Sequence, residues 1–233
     1  MFRVNENLGL TIVHTLFMRE HNRVARKLSN INKHWSDDQL FEEARRIVAA
    51  QIQHITYNEF LPSILGQETI DKYDLRLLND GFYNQYDINA NPGIYNVIAS
   101  TAFSFMYSMM PSQMERYSKD LNQVGSVRMG RTYFDPSEIY TNKFDEYLMG
   151  MISQNAQGSD SLVTEEMTNG IIPEANEGLD FVALIIQRGR DHGLAGYTEW
   201  RKACKLQPEI NDFNHLNGII KNDLVKKLSS IYS

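Results

Sequence analysis

The chain has 233 residues, of which 42% are hydrophobic, 22% charged and 11% aromatic, with 14 Gly, 6 Pro and a single Cys. That length and apolar fraction can build a sizeable core and exclude a disordered, collagen-like or low-complexity chain; one cysteine excludes a disulfide scaffold or a thiolate metal cluster made within it. With 29 acidic and 23 basic residues the formal charge is -6, and no Lys/Arg block exceeds two residues, so no nucleic acid partner is expected.

Apolar residues at Val13, Leu16, Phe17, Val24 and Leu28 mark one face of a helix predicted from roughly Leu10 to Leu28, which polar Ser29 to Lys33 ends. Ser36 and Gln39 form a capping box, and Trp35 and Leu40 sit where a hydrophobic staple would. Leu40, Phe41, Ala44, Ile47 and Val48 continue the stripe of this second helix, which Pro62 closes. From Gln67 to Pro92 a Tyr/Asn/Asp-rich stretch with Asn79-Asp80-Gly81 reads as loop and turns.

Ile88 to Met114 is an uncharged run of 27 residues, long enough to suggest a membrane span. Asn89, Asn91, Pro92, Asn96, Pro111 and five Ser/Thr between Ser100 and Ser112 dilute it. It reads instead as a buried core helix centred near Phe103, and no membrane span is expected. Strand signals are scarce, and residues 118–142 read as irregular around Asp135-Pro136. Helices are predicted near Phe144, at Leu179 to Gln187, at Tyr197 to Cys204 and at Leu216 to Ile231. The last carries Ile220, Leu224, Leu228 and Ile231, an apolar stripe that needs a cover. With no internal repeat or linker-like composition shift, one α-rich unit is expected over 1–233. No signal peptide opens the chain, and motif-like sequence directly after Met1 leads to the expectation of a segment of a longer protein.

Gly125 to Thr132, GSVRMGRT, has Walker A spacing with Arg131 in place of the phosphate-binding Lys, but no strand pattern precedes it and no helix pattern follows. Among His14, His21, His34, His54, His192 and His215 there is no close metal-ligand spacing, although His14 and His21 share a helix face; satisfied or solvated helix histidines are the plainer reading. Cys204 has nearby positive charge and no other mark of a nucleophile. Charge is dense beside apolar sequence in three places: at Arg3 and Glu6, at Arg19 to Arg23, and at Gln187 to Gly193. The Arg residues of the last can bind carboxylates, either of the protein in an ion-pair network or of an anionic ligand.

Three ordered segments then carry a resemblance: LTIVHTLFMREHNRVA from Leu10, FEEARRIVAAQIQHITYNEFLPSILG from Phe41, and LDFVALIIQRGRDHGLAGYTEWRKACKL from Leu179. Together they resemble the animal-type haem peroxidases, the family of peroxidasin and myeloperoxidase, across almost the whole chain. The resemblance implies a mainly α segment, the middle of the all-helical haem peroxidase domain, truncated at both ends. It implies haem b as cofactor, and hydrogen peroxide with a halide, phenolic or tyrosine donor as substrates.

By the same resemblance Arg3 matches the catalytic distal arginine that polarises the peroxide bond, Glu6 the carboxylate that can esterify a haem methyl, and Arg188 the arginine beside a haem propionate. Four positions depart from the pattern. Tyr107 stands where the proximal histidine ligand is expected, in the register Phe103-Ser104-Phe105-Met106-Tyr107, with Ser104 in place of an Arg and Met106 in place of a Gly. Ile185 stands where an Asn orients that histidine through its other ring nitrogen. The distal histidine, its haem-linking Asp neighbour and the family's calcium loop, all expected before Met1, are absent from the sequence.

These changes imply a pseudoenzyme segment with little peroxidase activity of its own. Two alternatives stand beside it: a haem held through Tyr107 as phenolate, and a haem-free helical binding scaffold with a protein partner over its truncated core. The family is typically secreted or tethered outside the cell, whereas this chain has no N-x-S/T sequon and an unpaired Cys204.

Overall fold

The structure, a computed structural model, describes residues 3–171 and 178–232. In chain order these form α1 (Leu8–Ile31), α2 (Asp37–Ile55), α3 (Leu61–Leu65), α4 (Gln67–Lys72), α5 (Asn96–Ser100), β1 (Gln113–Tyr117), β2 (Gln123–Arg128), α6 (Phe144–Ser153), α7 (Glu165–Thr168), α8 (Phe181–Asp191), α9 (Tyr197–Ala203) and α10 (Asn222–Ile231). No helix among the described residues is long and apolar enough to cross a membrane. Where no linker was legible, the chain divides into two compact units: one takes in the chain up to Gly93 together with Met106–Asp180, the other Ile94–Phe105 together with the chain from Phe181.

In the first unit, Asn7 is extended and its Oδ1 accepts the Leu10 amide at 3.0 Å, which satisfies an otherwise orphan donor and starts α1. The capping box of α2 is complete: Ser36 Oγ accepts from the Gln39 amide at 3.3 Å and Gln39 Oε1 from the Ser36 amide at 2.9 Å. The two helices pack through buried Val24, Ala44 and Val48, with Phe17, Ala25 and Leu28 against them. The other end of α1 buries Leu8 and Ile12 on Phe144 and Tyr147 of α6. Each such aliphatic side chain contributes on the order of 1.5–3 kcal/mol by leaving water. Because α1 serves two clusters, the single stripe read from the sequence is only half right: Val13 is half-buried and Leu16 is 38% exposed.

Four local expectations change. Pro62 does not stop helical structure: α2 passes into a π turn at Thr56–Phe60, and Pro62 lies in the first turn of α3, where a missing N–H costs nothing. The stretch expected to be all loop opens with α4. The uncharged segment is not one α-helix, because α5 ends at Thr101 (φ -140°, ψ -59°) and the chain goes on as a 3-10 helix over Ala102–Met109. Hydroxyl side chains offer the backbone competing partners, and Ser100 Oγ is already bonded to Asn96 Oδ1 at 2.6 Å. Phe103, expected in the core, is 52% exposed. Finally, the region read as irregular holds β2, which pairs antiparallel with β1 just before it, Gln113 opposite Arg128, with a register shift between Arg116 and Tyr117. Its alternation is too weak to read, since polar and apolar residues mix in both short strands, QMERY and QVGSVR.

The second unit places α5 against α8, which buries Ile185, and its later part buries Leu216 and Val225. On α10 the buried position is Val225, with Leu224 and Leu228 half-buried and Ile231 70% exposed.

Candidate functional site

Arg3 lies in a 3-10 turn over Arg3–Asn5 and is exposed. Its carbonyl accepts the Glu6 amide at 3.4 Å, while the Glu6 carbonyl accepts the Phe134 amide at 3.3 Å. Thr11 Oγ1 donates to the Val4 carbonyl at 3.0 Å. The Arg3–Glu6 turn is thus tied both to α1 and to the chain just after Tyr133. Asn7 is occupied as the cap of α1.

Tyr107, near the end of the 3-10 helix, is half-buried. It shares its surroundings with a residue that sequence reading did not single out, Tyr133. The Tyr133 phenol is buried and donates to Met167 Sδ at 3.2 Å. Burial pushes its pKa up to about 12, helped by the negative charges of Glu166, Glu6 and, when ionised, Tyr107. Glu6 and Tyr107 therefore lie within electrostatic reach of one phenol.

Glu166 is the second residue that the sequence did not mark. It is 4% exposed and accepts from Arg128 Nε at 2.8 Å and Nη2 at 2.5 Å on one oxygen, and from the Gly130 amide at 2.6 Å on the other. GSVRMGRT is therefore no phosphate cradle. Gly125 to Arg128 belong to β2, and the amide that would face an anion already holds a carboxylate of the chain.

In the second unit, Arg188 is half-buried and its Nε donates to the Ser100 carbonyl at 3.0 Å. His192, one turn on, places Nδ1 at 3.1 Å from Ser100 Oγ and 3.2 Å from Asn96 Oδ1. The Arg and His of the QRGRDHG segment thus fasten α8 to α5, and the segment serves the protein's own polar groups. Ile185 is buried on the same helix, an apolar position in the core of that unit.

His14 and His21 also bond locally, to the Leu10 and Phe41 carbonyls at 2.7 and 3.1 Å. Among the described residues, no group of three or more His, Cys, Asp or Glu is placed to hold a metal ion.

A peroxidase ancestry follows from comparison as well as from motif. The sequence model of the animal haem peroxidase family matches residues 1–233, and the chain belongs to that family. It is 35% identical to peroxidasin homolog pxn-2 of Caenorhabditis elegans over 99% of this chain and 17% of that protein, and 36% identical to human peroxidasin homolog over 99% of this chain and 16% of that one. It superposes with a TM-score of 0.83 and 30% identity on Peroxidase A from Dictyostelium discoideum, covering 99% of this chain and 42% of that one. The mainly helical architecture is accordingly a segment of the haem peroxidase fold, and the chain spans only a minor part of the length of these relatives.

Proposed function

We propose that this segment derives from a peroxide-reducing haem enzyme and does not itself run peroxide-dependent oxidation. The observation that carries the reading is the paired change at Tyr107 and Ile185: the ligand position has no imidazole and its expected partner position has no amide. A group that orients a ligand loses its task once that ligand is gone, so the two changes belong together. The reading depends on residues inside the chain and is independent of what flanks them. On this proposal Arg3, Glu6 and Arg188 keep the positions of a catalytic arginine, a haem-linking carboxylate and a propionate partner without a bound haem to serve.

In the family, ferric haem supplies the two-electron reduction of hydrogen peroxide, which is followed by oxidation of a halide, phenol or tyrosine donor outside the cell. Ligation through Tyr107 would need an ionised phenol, which adjacent positive charge favours. At the neighbouring phenol, Tyr133, Glu6 and Glu166 favour the protonated form. That neighbourhood weighs against a phenolate-bound haem.

The test is a hemin titration of the purified chain, read by Soret absorbance and by peroxide-dependent oxidation of a phenolic donor. Neither a Soret band nor turnover is expected. A band with turnover overturns the reading, and a band that Tyr107→Phe abolishes establishes phenolate ligation instead.

A haem-free binding scaffold is the second reading, favoured by the exposed stretch that holds Phe82 (97% exposed), Tyr86 (84%), Ile88 (82%) and Tyr95 (78%). Apolar surface of this kind calls for cover by further polypeptide or by a partner. A stable haem-free monomer with cooperative unfolding would support it, and aggregation of the isolated chain would point to a fragment instead.

A further inference from the structure

We propose that the methionine-lined cavity of the first unit is a binding site for a soft monovalent metal ion, Cu(I), held by thioethers. The cavity has a volume of about 360 Å³ and is lined by Met106, Met109, Met110, Met114, Met129 and Met151. These are six of the ten methionines in the chain. Met also fills irregular apolar gaps, but here six thioethers from four elements of the chain line one cavity, which sets soft donors side by side.

The placement follows from the local structure. Met106 and Met109 are three apart within the 3-10 helix, where residues at i and i+3 eclipse, so both fall on one face. Met110 follows directly, and Met114 lies on β1. Met129 comes just after β2, and Met151 from α6. At Gly9, on the first turn of α1, Asn7 Oδ1 and the Cε methyls of Met114 and Met151 stand 3.3, 3.7 and 3.9 Å from the point a Cβ would occupy, so those methionines pack against the helix there. Methionines from the 3-10 helix, β1, the turn after β2 and α6 thus line one cavity.

Donor chemistry selects the ion. The lining contains no carboxylate, imidazole or thiol, so it offers no anionic oxygen to Ca²⁺ or Mg²⁺ and none of the usual ligands of Zn²⁺; its amides are those of Asn7, Gln154 and Asn155, of which Asn7 caps α1 and Gln154 bonds to β1. Thioethers are neutral, polarizable donors that favour Cu(I). They also carry no proton to lose, so binding here is insensitive to pH, unlike binding to His or Cys.

The experiment titrates Cu(I) into the 233-residue chain under anaerobic reducing conditions against a chromophoric Cu(I) chelator. It uses the wild type, Cys204→Ser, and a variant with Met106, Met109, Met110 and Met114 all changed to Leu. Expected are about one Cu(I) per chain, the same affinity in Cys204→Ser, and an affinity that holds from about pH 8 to about pH 5, across the range where His gains its charge. In the fourfold variant the affinity falls at least roughly tenfold, and Met→Leu exchange conserves volume. Should that variant fail to fold, the single changes Met109→Leu and Met114→Leu decide, each with a several-fold loss. Unchanged affinity in the Leu variants, loss of binding in Cys204→Ser, or a collapse of binding as histidines protonate overturns the proposal. So does a cavity that takes up an apolar dye and no copper.

Discussion

The Gly130 amide donates to Oε2 of Glu166 over 2.6 Å, while Arg128 occupies the other oxygen of the same buried carboxylate. This joins residues 36 apart in sequence and fixes the turn that follows β2. Glu166→Ala leaves the Gly130 N–H without its acceptor, at a cost of about 1–3 kcal/mol. Glu166→Gln keeps an acceptor but loses the charge that Arg128 faces, so it should fall between wild type and Ala. Urea denaturation midpoints of the three proteins check that order.

Gly150 of α6 packs directly on the β1 backbone, where a Cβ would run into the carbonyl of Glu115. Gly150→Ala should therefore destabilise the first unit, although Ala is the better helix former by roughly 1 kcal/mol. Backbone cannot step aside as a side-chain tip can, and overpacking of this kind costs about 1–3 kcal/mol. A thermal midpoint raised in Gly150→Ala would show that helix propensity outweighs this contact.

What the sequence disclosed follows the range of the interactions involved. The capping box at Ser36 and Gln39 rests on contacts three residues apart and was legible, whereas the faces of α1 and α2 were legible in part: Val24, Ala44 and Val48 are buried, but Leu16, Phe41 and Ile47 are exposed. The 3-10 helix at Ala102–Met109 was not legible, because its apolar content suits either helix type. Arg3, Glu6, Tyr107 and Arg188 were singled out by ordered motifs. Tyr133 and Glu166 were invisible, since each acquires its meaning only when distant segments meet.

Acid should loosen the α1–α2 pair. Glu20 accepts hydrogen bonds from Arg23 on α1 and from Gln51 on α2, at 3.1 Å for Gln51. Chiefly the Arg23 bond, then the Gln51 bond, holds its carboxyl down at about 2 against an ordinary value of 4.5. Because the folded value is the lower one, this stabilisation is complete above about pH 4.5 and is lost as pH falls through about 2. Glu20→Gln should flatten the stability profile across that window by lowering its neutral plateau, modestly because solvent screens a half-buried pair, read as chemical-denaturation midpoints against pH. A profile as steep as that of the wild type would remove Glu20 as the cause.

The alkaline limit is set by phenols. Tyr133 is pushed up to about 12, mainly by burial, and Tyr147 is raised as well, by burial and then by its hydrogen bond to Glu138. Both are acids whose folded values lie above the ordinary 10, so the folded state keeps protons that the unfolded chain has released. Their contribution is complete below pH 10 and is lost as pH rises through the folded values, so unfolding in base should begin above 10 and follow the last tyrosines to ionise. Tyrosinate absorbance against pH should show late-titrating phenols, one of them missing in Tyr133→Phe. Glu6→Gln should bring the Tyr133 step to lower pH, since it removes one of the charges opposing ionisation, and a step that does not move would separate Glu6 from the Tyr133 neighbourhood.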